Sequence, residues 1–141
     1  MRGAVDTNAL AALDLTRGPA PALVESAGSV VLINSMLIRN RLPLMGSYRM
    51  SKARLLSLAR SLSVELGPRG VRVNSVAPGY IWSAAVRRYF RHLAAERGVD
   101  PQQVYDEVAA DTDLRRLPES DEIADAAVFL GSDLARAITG Q

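Results

Sequence analysis

Tyr48 and Lys52 are the pair in this chain whose types and spacing suit acid–base chemistry. They lie in the stretch GSYRMSKARLL, and Lys52 is the only lysine among the 141 residues. Residues four apart on a helix share one face, so a helix here would place the ammonium beside the phenol. A phenol has an ordinary pKa of about 10, and a neighbouring cation lowers such a value. The pair predicts a proton donor and acceptor for a carbonyl or an alcohol. The alternative is an exposed pair in which the lysine stem lies along the ring.

Two apolar runs predict strands that bring further polar groups to this pair. GSVVLINS ends at Ser35, thirteen residues before Tyr48, and GVRVNSVAPG ends at a Pro78-Gly79 turn. The first run is β-branched and apolar on both faces, which is typical of a buried parallel strand, and the second is read as a strand that ends in that turn. Ligands in open parallel sheets bind beyond the carboxyl ends of the strands. We therefore expect Ser35, Tyr48, Lys52 and the Pro-Gly turn to converge at one sheet edge.

Helical patterns separate these strands. The strongest runs through SYRMSKARLLSLARSLSVELG, with Ser47 as its N-cap and its end at Gly67-Pro68. The alternation of helix and strand predicts an α/β fold with a parallel sheet. The other predicted helices are VDTNALAALDLTR before Gly18-Pro19, a segment over 83–110 broken near Gly98 and Pro101, and a helix from a Ser120 cap to about Gly131.

Two strands are too few for a whole domain. A sheet of two parallel strands leaves its edges bare and cannot be covered as such folds require. The pattern therefore indicates that residues 1–141 are one portion of a single larger domain.

Taken together, these motifs resemble the C-terminal half of a short-chain dehydrogenase/reductase, from about Val5 to Gln141. The Tyr-x-x-x-Lys motif of that family matches Tyr48 and Lys52, followed by ARLLSLARSLSVELGPRGVRVNSVAPG. The segment PESDEIADAAVFLGSDLARAITGQ resembles the family's closing region. The resemblance implies a Rossmann-like, doubly wound parallel sheet whose N-terminal strands and final strand are missing from this chain.

The resemblance also implies site residues. The family's catalytic serine and asparagine correspond to Ser35 and Asn8, and its PGxIxS motif corresponds to Pro78, Gly79, Ile81 and Ser83. Tyr48 would be the general acid or base, Lys52 would hold the nicotinamide ribose, and Ser35 would bond the substrate oxygen. Asn8 would hold a water in a proton relay, and the PGxIxS residues would contact the nicotinamide end. The implied cofactor is NAD or NADP, with a small alcohol or carbonyl substrate. The implied assembly is a homodimer or homotetramer built on the long helix and the Asn8 helix.

The chain departs from the family pattern in its cofactor cradle. No glycine-rich turn follows a strand, although the family uses one to approach the pyrophosphate. The chain would therefore be a fragment, a truncated product, or one part of a pair that shares a sheet. The first hypothesis for its function is an NAD(P)-dependent alcohol dehydrogenase or carbonyl reductase. The alternatives are a catalytically silent remnant that at most mediates subunit association and, ranked last, an epimerase or dehydratase.

Composition excludes several other classes. There is no cysteine, the formal net charge is +2, and no apolar run has the length of a membrane span. The basic patch RRYFRH has no accompanying recognition motif, so we interpret it, with His92, as a solvated helix face. We expect a cytoplasmic enzyme without a metal, a nucleic-acid partner or a membrane partner.

Overall fold

The computed structural model describes residues 6–39 and 45–141, which divide into two compact units. The first unit comprises Met1–Gly79 and Ala126–Gln141, and the second comprises Tyr80–Asp125. Most of the predicted loop RNRLPLMG lies outside the described residues.

The sheet of the first unit consists, within the described ranges, of β1 at Ser29–Ile33 and β2 at Arg72–Val76. The two strands pair in parallel, with Val31 opposite Asn74, which confirms the predicted parallel arrangement. Both strands end before the predicted runs do. After each strand the chain turns, and the Pro78 carbonyl accepts the Met36 amide at 2.8 Å.

Three short helical pieces precede β1. A π-helical turn spans Asp6–Leu10, α1 spans Ala11–Arg17, and α2 spans Ala20–Glu25. The break between α1 and α2 falls at Gly18 and Pro19 as predicted, because proline has no amide proton to continue a helix. The wider π-helical turn was not predicted, and it contains Asn8.

The long helix α3 spans Gly46–Leu66 and ends before Gly67-Pro68 as predicted. The prediction of Ser47 as its N-cap is wrong. The Met45 carbonyl already accepts the Arg49 amide at 2.9 Å, so Ser47 lies inside the first turn. Met45 occupies the cap position, and no side chain caps the helix there.

The core of the first unit lies between α3 and β2. Buried side chains on one face of α3 pack against the start of β2, and each leucine or valine among them contributes about 1.5–3 kcal/mol on burial. Val64, on another face of the helix, is 75% exposed. The buried members are Ala59, Leu62, Leu66, Val71 and Val73.

The second unit contains α4 at Ala84–Arg97 and α5 at Pro101–Ala110. The predicted break is confirmed: Gly98 adopts a left-handed φ of 66°, and Asp100 caps α5 by accepting the Gln102 amide at 2.7 Å. The aromatic residues of this unit form its core, with Phe90 1% exposed and its ring 5.5 Å from that of Tyr80. The other buried members of that core are Ala94, Val104 and Leu117.

His92 lies on the exposed surface of α4, as the predicted solvated face requires. Its Nε2 is 3.4 Å from Glu96 Oε1. The last helix, α6, spans Ser120–Gly131 and ends as predicted. Ser120 is its first residue rather than its cap. The Glu122 carboxylate instead accepts the Glu119 amide at 2.9 Å just before the helix begins.

The end of the chain returns to β2 through the side chain of Asn74. Its amide donates to the Ile138 carbonyl at 2.8 Å, and its oxygen accepts the Gln141 amide at 3.2 Å. The Gly140 amide also donates to the Val73 carbonyl at 2.8 Å. One fully buried side chain thus ties residues 138–141 to the sheet.

We predict that Asn74→Ala lowers the free energy of unfolding by about 2–4 kcal/mol, because two hydrogen bonds are lost and both main-chain partners stay behind. Urea unfolding followed by circular dichroism measures this. Ser26→Ala is the control, since it removes an exposed hydrogen bond to the Ala22 carbonyl and should change stability by no more than about 0.5 kcal/mol. Equal losses in the two variants would show that Asn74 does not anchor the terminal segment.

Candidate active site

Lys52 and Tyr48 lie one turn apart at the beginning of α3. The Lys52 ammonium nitrogen is 5.9 Å from the centroid of the Tyr48 ring. Lys52 is 9% exposed, whereas Tyr48 is 37% exposed. The lysine is therefore held inside the protein while the phenol remains accessible from solvent.

The buried ammonium is anchored to β1. Lys52 Nζ donates to the carbonyl of Ile33, the last residue of the strand, at 2.8 Å. Burial lowers the pKa of Lys52 from its ordinary value, because removing the ammonium from water disfavours the charged form. Within the part of the chain that the structure describes, no carboxylate forms an ion pair with it. An ammonium has three donors, so two stay available beyond the bond to Ile33.

Ser35 lies two residues beyond the same strand end and is 7% exposed. Its hydroxyl oxygen accepts the Leu37 amide at 3.2 Å, and its own amide donates to the Asn34 side chain at 3.0 Å. Among the described residues the hydroxyl donates no hydrogen bond. Its proton is therefore available for an acceptor such as a carbonyl or alcohol oxygen.

Asn8 reaches the first turn of α3 through a residue that the sequence analysis did not identify. The Asn8 amide donates to the hydroxyl of Ser51 at 3.1 Å, and this hydroxyl donates to the Tyr48 carbonyl at 2.7 Å. The available sequence signal was a small polar residue directly before Lys52 on the face that a helix would bury. The structure thus links Asn8, Ser51, Tyr48 and Lys52 in one cluster.

Pro78 and Gly79 follow β2, and Pro78 binds the turn after Ser35 through the Met36 amide. A Cβ at Gly79 would lie 2.5 Å from the Met36 sulfur, so the backbone approaches that side chain closely. Ile81 and Ser83 belong to the second unit. Ser83 caps α4 by accepting the Val86 amide at 3.3 Å, and its own amide donates to the Ile81 carbonyl at 2.6 Å.

A separate cavity of about 250 Å³ lies between α3 and the ends of both strands. Among the residues that the structure describes, the buried Asn34 amide nitrogen and the Ser75 hydroxyl have no hydrogen-bond partner. Both residues line this cavity, whereas none of the four residues Asn8, Ser35, Tyr48 and Lys52 does. The cavity is therefore distinct from the predicted site.

Comparison with known proteins places this geometry in a family. A family model described as enoyl-(acyl carrier protein) reductase matches residues 1–141. The bovine (Bos taurus) dehydrogenase/reductase SDR family member 4 is 33% identical over 138 residues, which cover 97% of this chain and 46% of that protein. The chain belongs to the short-chain dehydrogenase/reductase family. The resemblance drawn from the sequence is confirmed.

Other short-chain dehydrogenases/reductases support the fold. The 7alpha-hydroxysteroid dehydrogenase of Escherichia coli (strain K12) is 33% identical over 141 residues, covering 99% of this chain and 51% of that protein. L-sorbose reductase from Gluconobacter frateurii, in a crystal structure complexed with NADPH and L-sorbose, aligns with a TM-score of 0.87 at 26% identity. That alignment covers 94% of this chain and 51% of the reductase. The chain spans about half the length of the curated relatives it matches.

The described residues fit one end of a nicotinamide dinucleotide. Lys52, with two free donors beside an accessible phenol, suits a pair of ribose hydroxyls. Neither strand in the described ranges leads into a glycine-rich turn at a helix N-terminus, which a pyrophosphate requires. Those ranges also contain no cluster of potential metal ligands and no helix that is long and apolar enough to cross a membrane.

The single lysine permits a direct test of its burial. We predict that Lys52 loses its proton below the ordinary lysine pKa, because burial disfavours the ammonium. The native state then binds fewer protons than the unfolded state between the two pKa values, so stability rises with pH across that window. Isotope-labelled lysine gives one side-chain NMR signal to titrate, and the same lysine in urea is the control. Identical titrations in the two states would contradict the burial of Lys52.

Proposed function

We propose that this chain carries the proton-transfer half of an NAD(P)-dependent oxidoreductase that interconverts an alcohol and a carbonyl. The observation that carries the proposal is the buried Lys52 ammonium, fixed at the end of β1 and 5.9 Å from the Tyr48 ring. A cation in that position has a cost that an exposed surface pair would not have. A catalytic role therefore explains the buried Lys52 better than the alternative of a solvated surface pair does.

In this proposal Tyr48 donates its phenolic proton to the carbonyl oxygen during reduction and accepts the alcohol proton during oxidation. The accessible edge of Tyr48 allows a substrate to reach it. Ser35 donates its uncommitted hydroxyl proton to the same substrate oxygen and stabilises the charge that develops there. The nicotinamide, when bound, supplies or takes the hydride at the carbonyl carbon.

Lys52 and Asn8 support Tyr48. The Lys52 ammonium stabilises negative charge on the phenol oxygen and offers its free donors to the ribose hydroxyls of NAD or NADP. Asn8 lies in a π-helical turn, where the usual main-chain pairing shifts by one residue. We propose that a water held there passes protons toward Lys52. Pro78, Gly79, Ile81 and Ser83 are proposed to contact the nicotinamide end.

The substrate is proposed to be a small molecule with a secondary alcohol or its ketone, the chemistry that a hydroxysteroid and L-sorbose share. A homodimer or homotetramer in the cytoplasm is the proposed assembly and location. The exposed Val64 on α3 is available to a second copy of the chain.

A second candidate is a catalytically silent remnant that mediates subunit association. The observation that favours it is the two-stranded sheet without a glycine-rich turn in the described residues. Under this candidate the cluster around Lys52 is inherited from a catalytic relative and has no bound cofactor or substrate to act on.

Cofactor titration of the chain by itself tests which candidate describes the isolated polypeptide. We expect no saturable binding of NADH or NADPH in the micromolar range, because the described residues offer donors to only one ribose. Isothermal titration calorimetry measures this, and Lys52→Met is the matched variant. Micromolar affinity that Lys52→Met weakens would show a cofactor site complete enough for catalysis and would overturn the expectation.

The assignment of Tyr48 is tested in a polypeptide that carries this chain behind a glycine-rich cofactor-binding half. Tyr48→Phe should reduce kcat by about 10²–10⁴-fold, because the proton donor is lost. Cofactor affinity should stay nearly unchanged, since Lys52 is intact. Tyr89→Phe, which removes a phenol from the second unit, is the control. Turnover by Tyr48→Phe at the rate of the unsubstituted protein would refute Tyr48 as the proton donor.

A further inference from the structure

Ser51 joins two segments that are distant in the sequence. It is 0% exposed, and its hydroxyl lies between the Asn8 amide at 3.1 Å and the Tyr48 carbonyl at 2.7 Å. Asn8 and Ser51 are 43 residues apart. The bond is therefore a tertiary contact rather than a consequence of local helix geometry.

The direction of this chain of hydrogen bonds is fixed by the groups themselves. An amide nitrogen only donates, and a carbonyl oxygen only accepts. The Ser51 hydroxyl must therefore accept from Asn8 and give its one proton to Tyr48. A residue without a hydroxyl at position 51 would leave the Asn8 donor without its acceptor.

The first turn of α3 has few other constraints, so its position depends on this contact. Its first residue is Gly46, which adds backbone freedom, and no side chain caps the helix at Met45. Tyr48 lies in this uncapped first turn, whereas Lys52, one turn later, is anchored to the Ile33 carbonyl. The phenol thus belongs to the less constrained of the two turns, and a hydrogen bond to its own carbonyl constrains that turn.

We propose that Ser51 is a positioning residue, which ties the first turn of α3 to the Asn8 segment and so holds the Tyr48 ring against the Lys52 ammonium. The value of that geometry for proton transfer rests on the proposed function. The contact itself is a property of the folded chain and can be tested without cofactor or substrate.

The test measures how close the Tyr48 ring lies to Lys52, using the NMR signals of this only lysine. Ring currents from Tyr48 shift the NMR signals of the Lys52 ε-protons, and Tyr48→Leu gives the unshifted reference. In Ser51→Ala we expect at least half of this ring-current shift to disappear. Ser51→Thr, which restores a hydroxyl, should recover most of it. Ser47→Ala removes an exposed hydroxyl from the same turn and should leave the shift unchanged.

A second variant removes the same contact from its other side. Asn8→Ala should reduce the ring-current shift as Ser51→Ala does, and the double variant should reduce it no further, because both changes break one bond. A full shift in Ser51→Ala or Asn8→Ala, with native circular dichroism, overturns the positioning role even if turnover later confirms Tyr48. If Ser51→Ala and Asn8→Ala lose the shift but the unsubstituted longer protein has no turnover, the positioning role is supported and the proposed function is contradicted.

Discussion

The structure of the candidate site depends on one hydrogen bond, from the Lys52 ammonium to the carbonyl of Ile33. A buried cation without a partner would be strongly unfavourable, and this bond satisfies it at the place where β1 ends. Because Lys52 is fixed to α3, the same bond sets the position of the helix along the strand. The remaining polar groups are arranged around it: Ser35 lies two residues after the strand ends at Ile33, and Tyr48 lies one helical turn before Lys52. The proton chemistry and the packing of α3 on the sheet therefore share one constraint.

The features that could be predicted from the sequence are those that local residues determine. The β-branched runs identify both strands, and Pro19, Gly98 and Pro101 mark helix breaks, because proline and glycine act through their own backbone. The Tyr48–Lys52 adjacency follows from helix geometry alone. The predicted start of α3 was wrong because main-chain hydrogen bonding can begin a helix before a good capping residue. Here the Met45 carbonyl accepts the Arg49 amide, so Ser47 lies inside the helix. Ser51 was missed because its partner Asn8 is brought to it only by folding.

The two halves of a hydride-transfer reaction have different structural requirements, and the proposed function assigns one of them to this chain. Proton transfer needs a few side chains held at a strand end, which β1 and α3 supply by themselves. Holding a dinucleotide needs backbone amides of a glycine-rich turn at a helix N-terminus, supported by further strands. The chain aligns over nearly its whole length with about half of each of two relatives, and it carries Tyr48 and Lys52 on α3.

The unsatisfied groups of the first unit lie next to the proposed catalytic cluster rather than within it. Among the described residues the Asn34 amide nitrogen and the Ser75 hydroxyl have no partners, although the Asn34 oxygen accepts the Ser35 amide. Buried polar groups are normally hydrogen-bonded, and both of these residues line the cavity of about 250 Å³, so the cavity presents two donors to a polar group that enters it. The Ser35 hydroxyl differs from them, because its oxygen accepts the Leu37 amide while its proton has no acceptor among the described residues. An uncommitted donor of that kind is what the proposed role of Ser35 requires before a substrate oxygen arrives.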